Sequence, residues 1–204
     1  MYTPLLYGSF PQISISSLEN MIYTQTTIPL EFSVNETTSW TGYSLDGQTN
    51  VTLTENINLT GLVEGIHTLE VFARDMVDDE GVTTITFTVD TNPPVITVLS
   101  PENKTYGDSS VLLNVELEEP ISSMKYSLDG FENVTFTEDI TLSELEVGSH
   151  NVTVYATDLA GHTGVSETIS FSIEPFPTTL LILLAIIVGI VGIGIILYFK
   201  KRRT

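Results

Sequence analysis

The sequence predicts an all-β protein, two tandem β-sandwiches followed by one transmembrane α-helix. Three observations predict it. Apolar residues alternate with polar ones at a period of two, the alternating pattern recurs in two copies, and Leu180–Phe199 contains no charged side chain.

The copies are fixed by a constant offset. Pro11 is answered by Pro94, Tyr23 by Tyr106, Tyr43 by Tyr126, Asp46-Gly47 by Asp129-Gly130 and Asn50-Val51-Thr52 by Asn133-Val134-Thr135, each 83 positions on. The register continues through Gly65/Gly148, His67/His150, Val71/Val154, Ala73/Ala156 and Asp75/Asp158, then slips by one so that Phe87 answers Phe171 and Val89 answers Ile173. The spacing predicts one domain at 11–90 and a second at 94–174. The linker 91–93 between them ends against Pro94, with proline at 93 and 94 fixing φ and disfavouring helix. Residues 1–10 lack a basic start and a long apolar core, so they read as a fragment or a processed start rather than a secretion signal.

Each copy reads as strands. In the first, Ile13 and Ile15, then Ile28, Leu30, Phe32 and Val34, alternate with polar residues, followed by Leu69, Val71 and Ala73. Val152, Val154 and Ala156 repeat the last set, and Ile85–Val89 and Ile169–Ile173 close the two domains. Threonine and valine favour a pleated, half-buried surface. Turn signals fall at Asp46-Gly47, Glu64-Gly65, Asp79-Glu80-Gly81, Asp129-Gly130, Val147-Gly148 and Gly161–Gly164. About seven short strands per copy with regular turns suggest a two-sheet sandwich.

Beyond the second domain, a proline-containing linker at 175–179 leads to the apolar run 180–199. Twenty helical residues at about 1.5 Å rise span roughly 30 Å, the thickness of a bilayer core. Lys200, Lys201, Arg202 and Arg203 follow at once in the tail 200–204. Basic residues beside a span stay cytoplasmic, so these four set the topology: a cell-membrane protein crossing once, with its N-terminal domains extracellular and its C-terminus cytoplasmic. Ala185, Gly189 and Gly192 fall on one helical face and offer a surface for self-association.

Charge is strongly segregated. All 26 acidic residues precede the apolar run, against Arg74, Lys104 and Lys125 alone, which leaves −23 on residues 1–179; the basic tail brings the whole chain to −19. That field repels a phosphate backbone, so no nucleic-acid partner is expected. There is no cysteine, hence no disulfide, thiolate metal site or cysteine nucleophile, and the hydrophobic core alone must hold the fold.

The string YSLDG, the G-x-H turn, V-x-A-x-D in the penultimate strand and the D-x-N-P-P junction together resemble the tandem immunoglobulin-like or fibronectin-III-like domains of prokaryotic, archaeal-type cell-surface proteins. The resemblance covers most of residues 11–174. It implies Ig-like sandwiches at the cell surface, with other surface proteins or glycans as partners. The chain departs from antibody-type domains in lacking the cysteine pair, and Trp40 is answered by Ser123, which excludes an obligatory core tryptophan.

Candidate sites are few. Six N-x-S/T sequons, at Asn35, Asn50, Asn58, Asn103, Asn133 and Asn151, are candidate N-glycosylation sites, and Asn50 and Asn133 share one repeat position. Threonine-rich strands also generate N-x-T by composition alone. His67 and His150, being repeat equivalents, are expected to serve packing or turn bonding at a strand entry, whereas His162 stands alone in a hairpin. No H-E-x-x-H, clustered Cys/His spacing or G-x-S-x-G elbow occurs, so no catalytic residue, cofactor or resident metal is expected. Asp75, Asp78, Asp79 and Glu80 in one hairpin, and Asp90 with Asn92 at the junction, are the carboxylates and amide that suit Ca²⁺ best. The expected function is that of a membrane-anchored stalk, adhesion module or surface-layer subunit rather than an enzyme. The alternative is an anchoring appendage of a larger secreted protease or glycoside hydrolase, or a partner-dependent sensor ectodomain.

Overall fold

The computed structural model describes residues 10–174 together with the isolated helical positions Ile186, Ile190 and Val191. The first repeat forms nine strands: β1 (Ile13–Ile15), β2 (Ile22–Tyr23), β3 (Thr27–Leu30), β4 (Phe32–Val34), β5 (Trp40–Leu45), β6 (Val51–Thr52), β7 (Ile57–Thr60), β8 (Gly65–Arg74) and β9 (Glu80–Val89). The second adds β10 (Ile96–Ser100), β11 (Thr105–Tyr106), β12 (Val111–Leu117), β13 (Ile121–Leu128), β14 (Val134–Phe136), β15 (Ile140–Leu142), β16 (Gly148–Asp158), β17 (Thr163–Val165) and β18 (Ile169–Ile173). Chain contacts define two units. The first runs to Pro94 and takes in Glu119–Ser122 and Thr157–Thr163; the second comprises Val95–Glu118, Ser123–Ala156 and the described residues from Gly164.

In the first repeat a five-stranded sheet ordered β2-β9-β8-β5-β6 stands with the two-stranded pairs β1-β4 and β3-β7. Ile28, Leu30, Leu59, Leu69, Val71, Phe87 and Val89 are all at most 2% exposed and form one core with Leu18, Leu53 and Leu62. Their neighbours along each strand face outward, as a period of two requires. Burying an aliphatic side chain of this size contributes about 1.5–3 kcal/mol, so no covalent staple is needed. Gly81 is fixed by close approach, because a β-carbon there would lie 1.9 Å from the Pro11 carbonyl oxygen.

The second repeat has the sheet β11-β18-β16-β13-β14, with β17 attached to β16, and the three-stranded sheet β10-β12-β15. Val111, Leu113, Met124, Phe136, Leu142, Val152, Val154, Phe171 and Ile173 are buried. In both repeats the short strand near the domain's start pairs in parallel with its last strand: β2 with β9, and β11 with β18. The pairs β1-β4, β10-β12, β12-β15, β13-β14, β16-β18, β3-β7, β5-β6, β5-β8 and β8-β9 are antiparallel.

The expectation of a membrane-spanning helix is corrected. Among the described residues no helix is long and apolar enough to cross a membrane. Hydropathy along a sequence measures a preference for apolar surroundings and does not by itself establish the element formed. The run 180–199, apart from Ile186, Ile190 and Val191, lies outside the described residues, as do 175–179, the first nine residues, and Lys200, Lys201, Arg202 and Arg203. The single-pass anchoring, the lipid bilayer as partner, self-association through the helix and the extracellular-to-cytoplasmic placement all rested on that helix and fall with it.

Candidate functional site

Among the described residues, one polar construction is built twice, around the two repeated histidines. Asp46 (φ 54°) and Gly47 (φ 69°) form a left-handed turn after β5, closed by the Gln48 amide donating to the Leu45 carbonyl at 3.0 Å. That turn points the Asp46 carboxylate at β8. One oxygen accepts the Thr68 amide at 2.9 Å and the other lies 2.8 Å from His67 Nδ1. His67 Nε2 is in turn 2.8 Å from the Val63 carbonyl. Carboxylate and carbonyl oxygens only accept hydrogen bonds, so both ring nitrogens must donate. The two acceptors therefore favour the imidazolium form of His67, although the residue is only 4% exposed.

The second repeat reproduces this atom for atom. Asp129 (φ 54°) and Gly130 (φ 75°) make the turn, Asp129 accepts the Asn151 amide at 2.7 Å, and His150 bridges Asp129 at 2.7 Å and the Glu146 carbonyl at 2.8 Å. Each ring lies against a core phenylalanine: His67 on Phe87 with centroids 5.4 Å apart, and His150 on Phe171 at 5.5 Å. Tyr23 and Tyr106 meet the same phenylalanines edge-on, and their hydroxyls accept the Glu19 and Glu102 amides.

The electrostatics follow. Burial opposes the charge on His67, but the Val63 carbonyl and the Asp46 carboxylate outweigh it and hold its pKa above the ordinary histidine value. For His150 the Glu146 carbonyl leads, joined by Asp129, and burial opposes them. Asp46 meets the same desolvation, yet His67 and the Thr68 amide leave its carboxyl below the usual range. Both histidines thus clamp a turn to a strand, as their repeat relationship suggests. The clamp's other half was not legible, because the aspartate lies 21 residues upstream.

The Asp75 hairpin has a similar explanation. Asp75 is 6% exposed, and one carboxylate oxygen accepts the Val77 and Asp79 amides at 2.8 and 2.9 Å, while Glu80 pairs with Arg74 at 2.7 Å. Asp75, Asp78, Asp79 and Glu80 do not converge as a ligand set among the described residues. Asp158 repeats the inward cap, accepting the Gly161 and His162 amides at 2.6 and 2.9 Å. Asp90, Asp158 and His162, all in the first unit, bring potential ligand atoms within 4.8 Å of one another. Asp158 is already satisfied by its own hairpin, with His162 Nδ1 at 3.2 Å from its second oxygen. Asn92 is not in the group. All six sequon asparagines are exposed.

Fold and site together define a repeated β-sandwich module without a catalytic constellation among the described residues. No protein-family profile matches the chain. It is 38% identical over 81 residues to halomucin of Haloquadratum walsbyi strain DSM 16790 / HBSQ001, a match covering 36% of this chain and 1% of that protein's length. Among solved structures, the fibronectin(III)-like modules of Clostridium thermocellum CbhA are 16% identical, with a TM-score of 0.36 over 80% of this chain and 94% of theirs. The D00-D0 domain of intimin is 9% identical, with a TM-score of 0.45 over 79% and 99%. A 1.5-MDa bacterial ice-binding adhesin gives 14% identity and 0.38 over 82% and 66%.

Proposed function

We propose that the chain is a structural and adhesive module whose sandwiches resist tension while presenting their loops to other proteins or glycans. The observation that carries this reading is the parallel pairing of an early strand with the last strand in each repeat. Thr88 and Asp90 donate to the Met21 and Tyr23 carbonyls at 3.0 and 2.9 Å; Ser172 and Glu174 donate to Lys104 and Tyr106 at 3.1 and 2.9 Å. Parallel strands at opposite ends of a domain are pulled in opposite directions when its termini are drawn apart. Their hydrogen bonds then share the strain in shear instead of opening one at a time. The partial match to halomucin, about one domain long, is in keeping with a module that belongs to a much longer protein.

Single-molecule pulling on the full chain, tethered at both ends, tests the reading. Two rupture events are expected, each releasing about 80 residues, or roughly 27 nm at about 3.4 Å per residue. Asp90→Pro removes one donor of the first pair and should lower the force of one event only. Extension without discrete ruptures would overturn the proposal.

A further inference from the structure

The structure separates the six sequons. Asn58 and Asn151 lie inside β7 and β16, and the Asn151 side-chain carbonyl accepts the Ser170 hydroxyl at 2.6 Å. The Asn35 carbonyl accepts the Gln12 amide at 2.8 Å. Asn103 is exposed in a bend, but its counterpart Asn20 is followed by Met21-Ile22 and has no hydroxyl two residues on. Asn50 and Asn133 differ from all of these. Both are exposed and outside any strand, neither side chain makes a hydrogen bond among the described residues, and they occupy the same place in each repeat.

That place has a consequence. Asn50 directly precedes β6 and Asn133 directly precedes β14, the strands at the outer end of each five-stranded order. Val51 and Val134 on those edges are each 49% exposed, and Phe131 beside Asn133 is 76% exposed. An edge with free backbone groups and apolar side chains is a template for pairing with another chain. We propose that Asn50 and Asn133 are N-glycosylated and that the glycans shield these edges from strand pairing between copies.

The chemistry is a group transfer without redox change. The asparagine amide nitrogen forms a bond to the anomeric carbon of a saccharide carried on a polyprenyl phosphate or pyrophosphate. The bond from that carbon to the phosphate oxygen breaks, the lipid phosphate leaves with the electron pair, and the amide gives up one proton. Thr52 and Thr135 supply the sequon hydroxyls.

Peptide mapping of the protein isolated from the organism that makes it, before and after chemical deglycosylation, tests the modification. Saccharide mass is expected on the Asn50 and Asn133 peptides. Thr135→Ala should abolish it at Asn133 with the asparagine intact, and Thr135→Ser should restore it. Light scattering should show the Asn50→Gln/Asn133→Gln double variant shifting from monomer to concentration-dependent oligomers. Unmodified Asn50 and Asn133 would overturn the sites, and an unchanged oligomeric state of the double variant would overturn the shielding role.

Discussion

The two repeats keep an apolar interior at matching positions, with exchanges such as Leu53 for Phe136 and Leu69 for Val152, and they differ in polar construction at their margins. In the first, the strand facing the larger sheet breaks at Glu31 into β3 and β4; in the second, β12 runs unbroken from Val111 to Leu117. The break is bridged by Ser17, whose hydroxyl accepts the Glu31 amide and donates to the Pro29 carbonyl, both at 2.7 Å. Pro29 has no amide to offer the ladder, whereas Leu112 at the matching position has one. At the hairpin rim, Arg74 lies over Trp40, 5.6 Å from its ring centroid, and pairs with Glu80; the matching positions hold Ser123, Thr157 and Thr163, with the two threonine hydroxyls 3.0 Å apart. By contrast, the tyrosine, phenylalanine, histidine and aspartate around each clamp agree in partner and geometry. The polar contacts at the rim differ between the copies, whereas the clamp keeps its residues and its partners in both.

The largest test of that contrast removes the shared interior from one repeat. Phe87→Ala should destabilise the first sandwich by about 3–5 kcal/mol through lost burial and the cavity left behind, splitting thermal unfolding into two transitions with the second held near its original temperature. If both transitions moved together, the two interiors would not be separate cores.

A smaller effect is expected from the clamp. Asp46→Ala and Asp129→Ala should each cost about 1.5–3 kcal/mol, the range for a hydrogen bond to a charged group, and by matching amounts in their own repeats. The clamp also sets a pH dependence. A histidine whose pKa is raised on folding stabilises fully below its unfolded value, near 6.5, and that contribution disappears as pH climbs through the higher folded value. Asp46, depressed on folding, stabilises above an unfolded value near 3.8 and fails as pH falls through its lower folded one. Melting temperature should therefore decline as pH rises above about 6.5, and the decline should flatten in the aspartate variants. A wild-type melting temperature level from pH 6 to 9 would rule out the charged clamp.

The smallest test probes a margin. Ser17→Ala should cost about 1 kcal/mol, because the Glu31 amide loses its acceptor. Ser100→Ala should cost less, since the Ser100 hydroxyl only donates to the Leu112 carbonyl beside an unbroken strand. Equal losses would show that the break in the first sheet carries no energetic penalty.

Much of this architecture was legible because a period of two and a fixed 83-residue offset are one-dimensional signals. The all-β class, the DG turns and the paired placement of His67 and His150 all show in the sequence. The break at Glu31 did not, since Ile28, Leu30, Phe32 and Val34 keep the same alternation across it. Nor did the charge state of the histidines, which depends on acceptors brought to both ring nitrogens by the fold. Asp75 was read as a metal candidate because a carboxylate in a turn looks alike whether it faces water or caps its own hairpin. The membrane helix was the error of largest consequence, for topology, partners and location had all been hung on one apolar run.

The doubly donating histidines also alter the proton inventory. Counting histidine as neutral gives the chain −19; each clamp ring that carries both protons adds one positive charge, so the folded chain reaches −17 when both are protonated. Unfolding frees both rings from their acceptors and returns them to a pKa near 6.5, below the raised folded value. Folding of each sandwich is then a proton-uptake reaction, and refolding in weakly buffered solution should raise the pH.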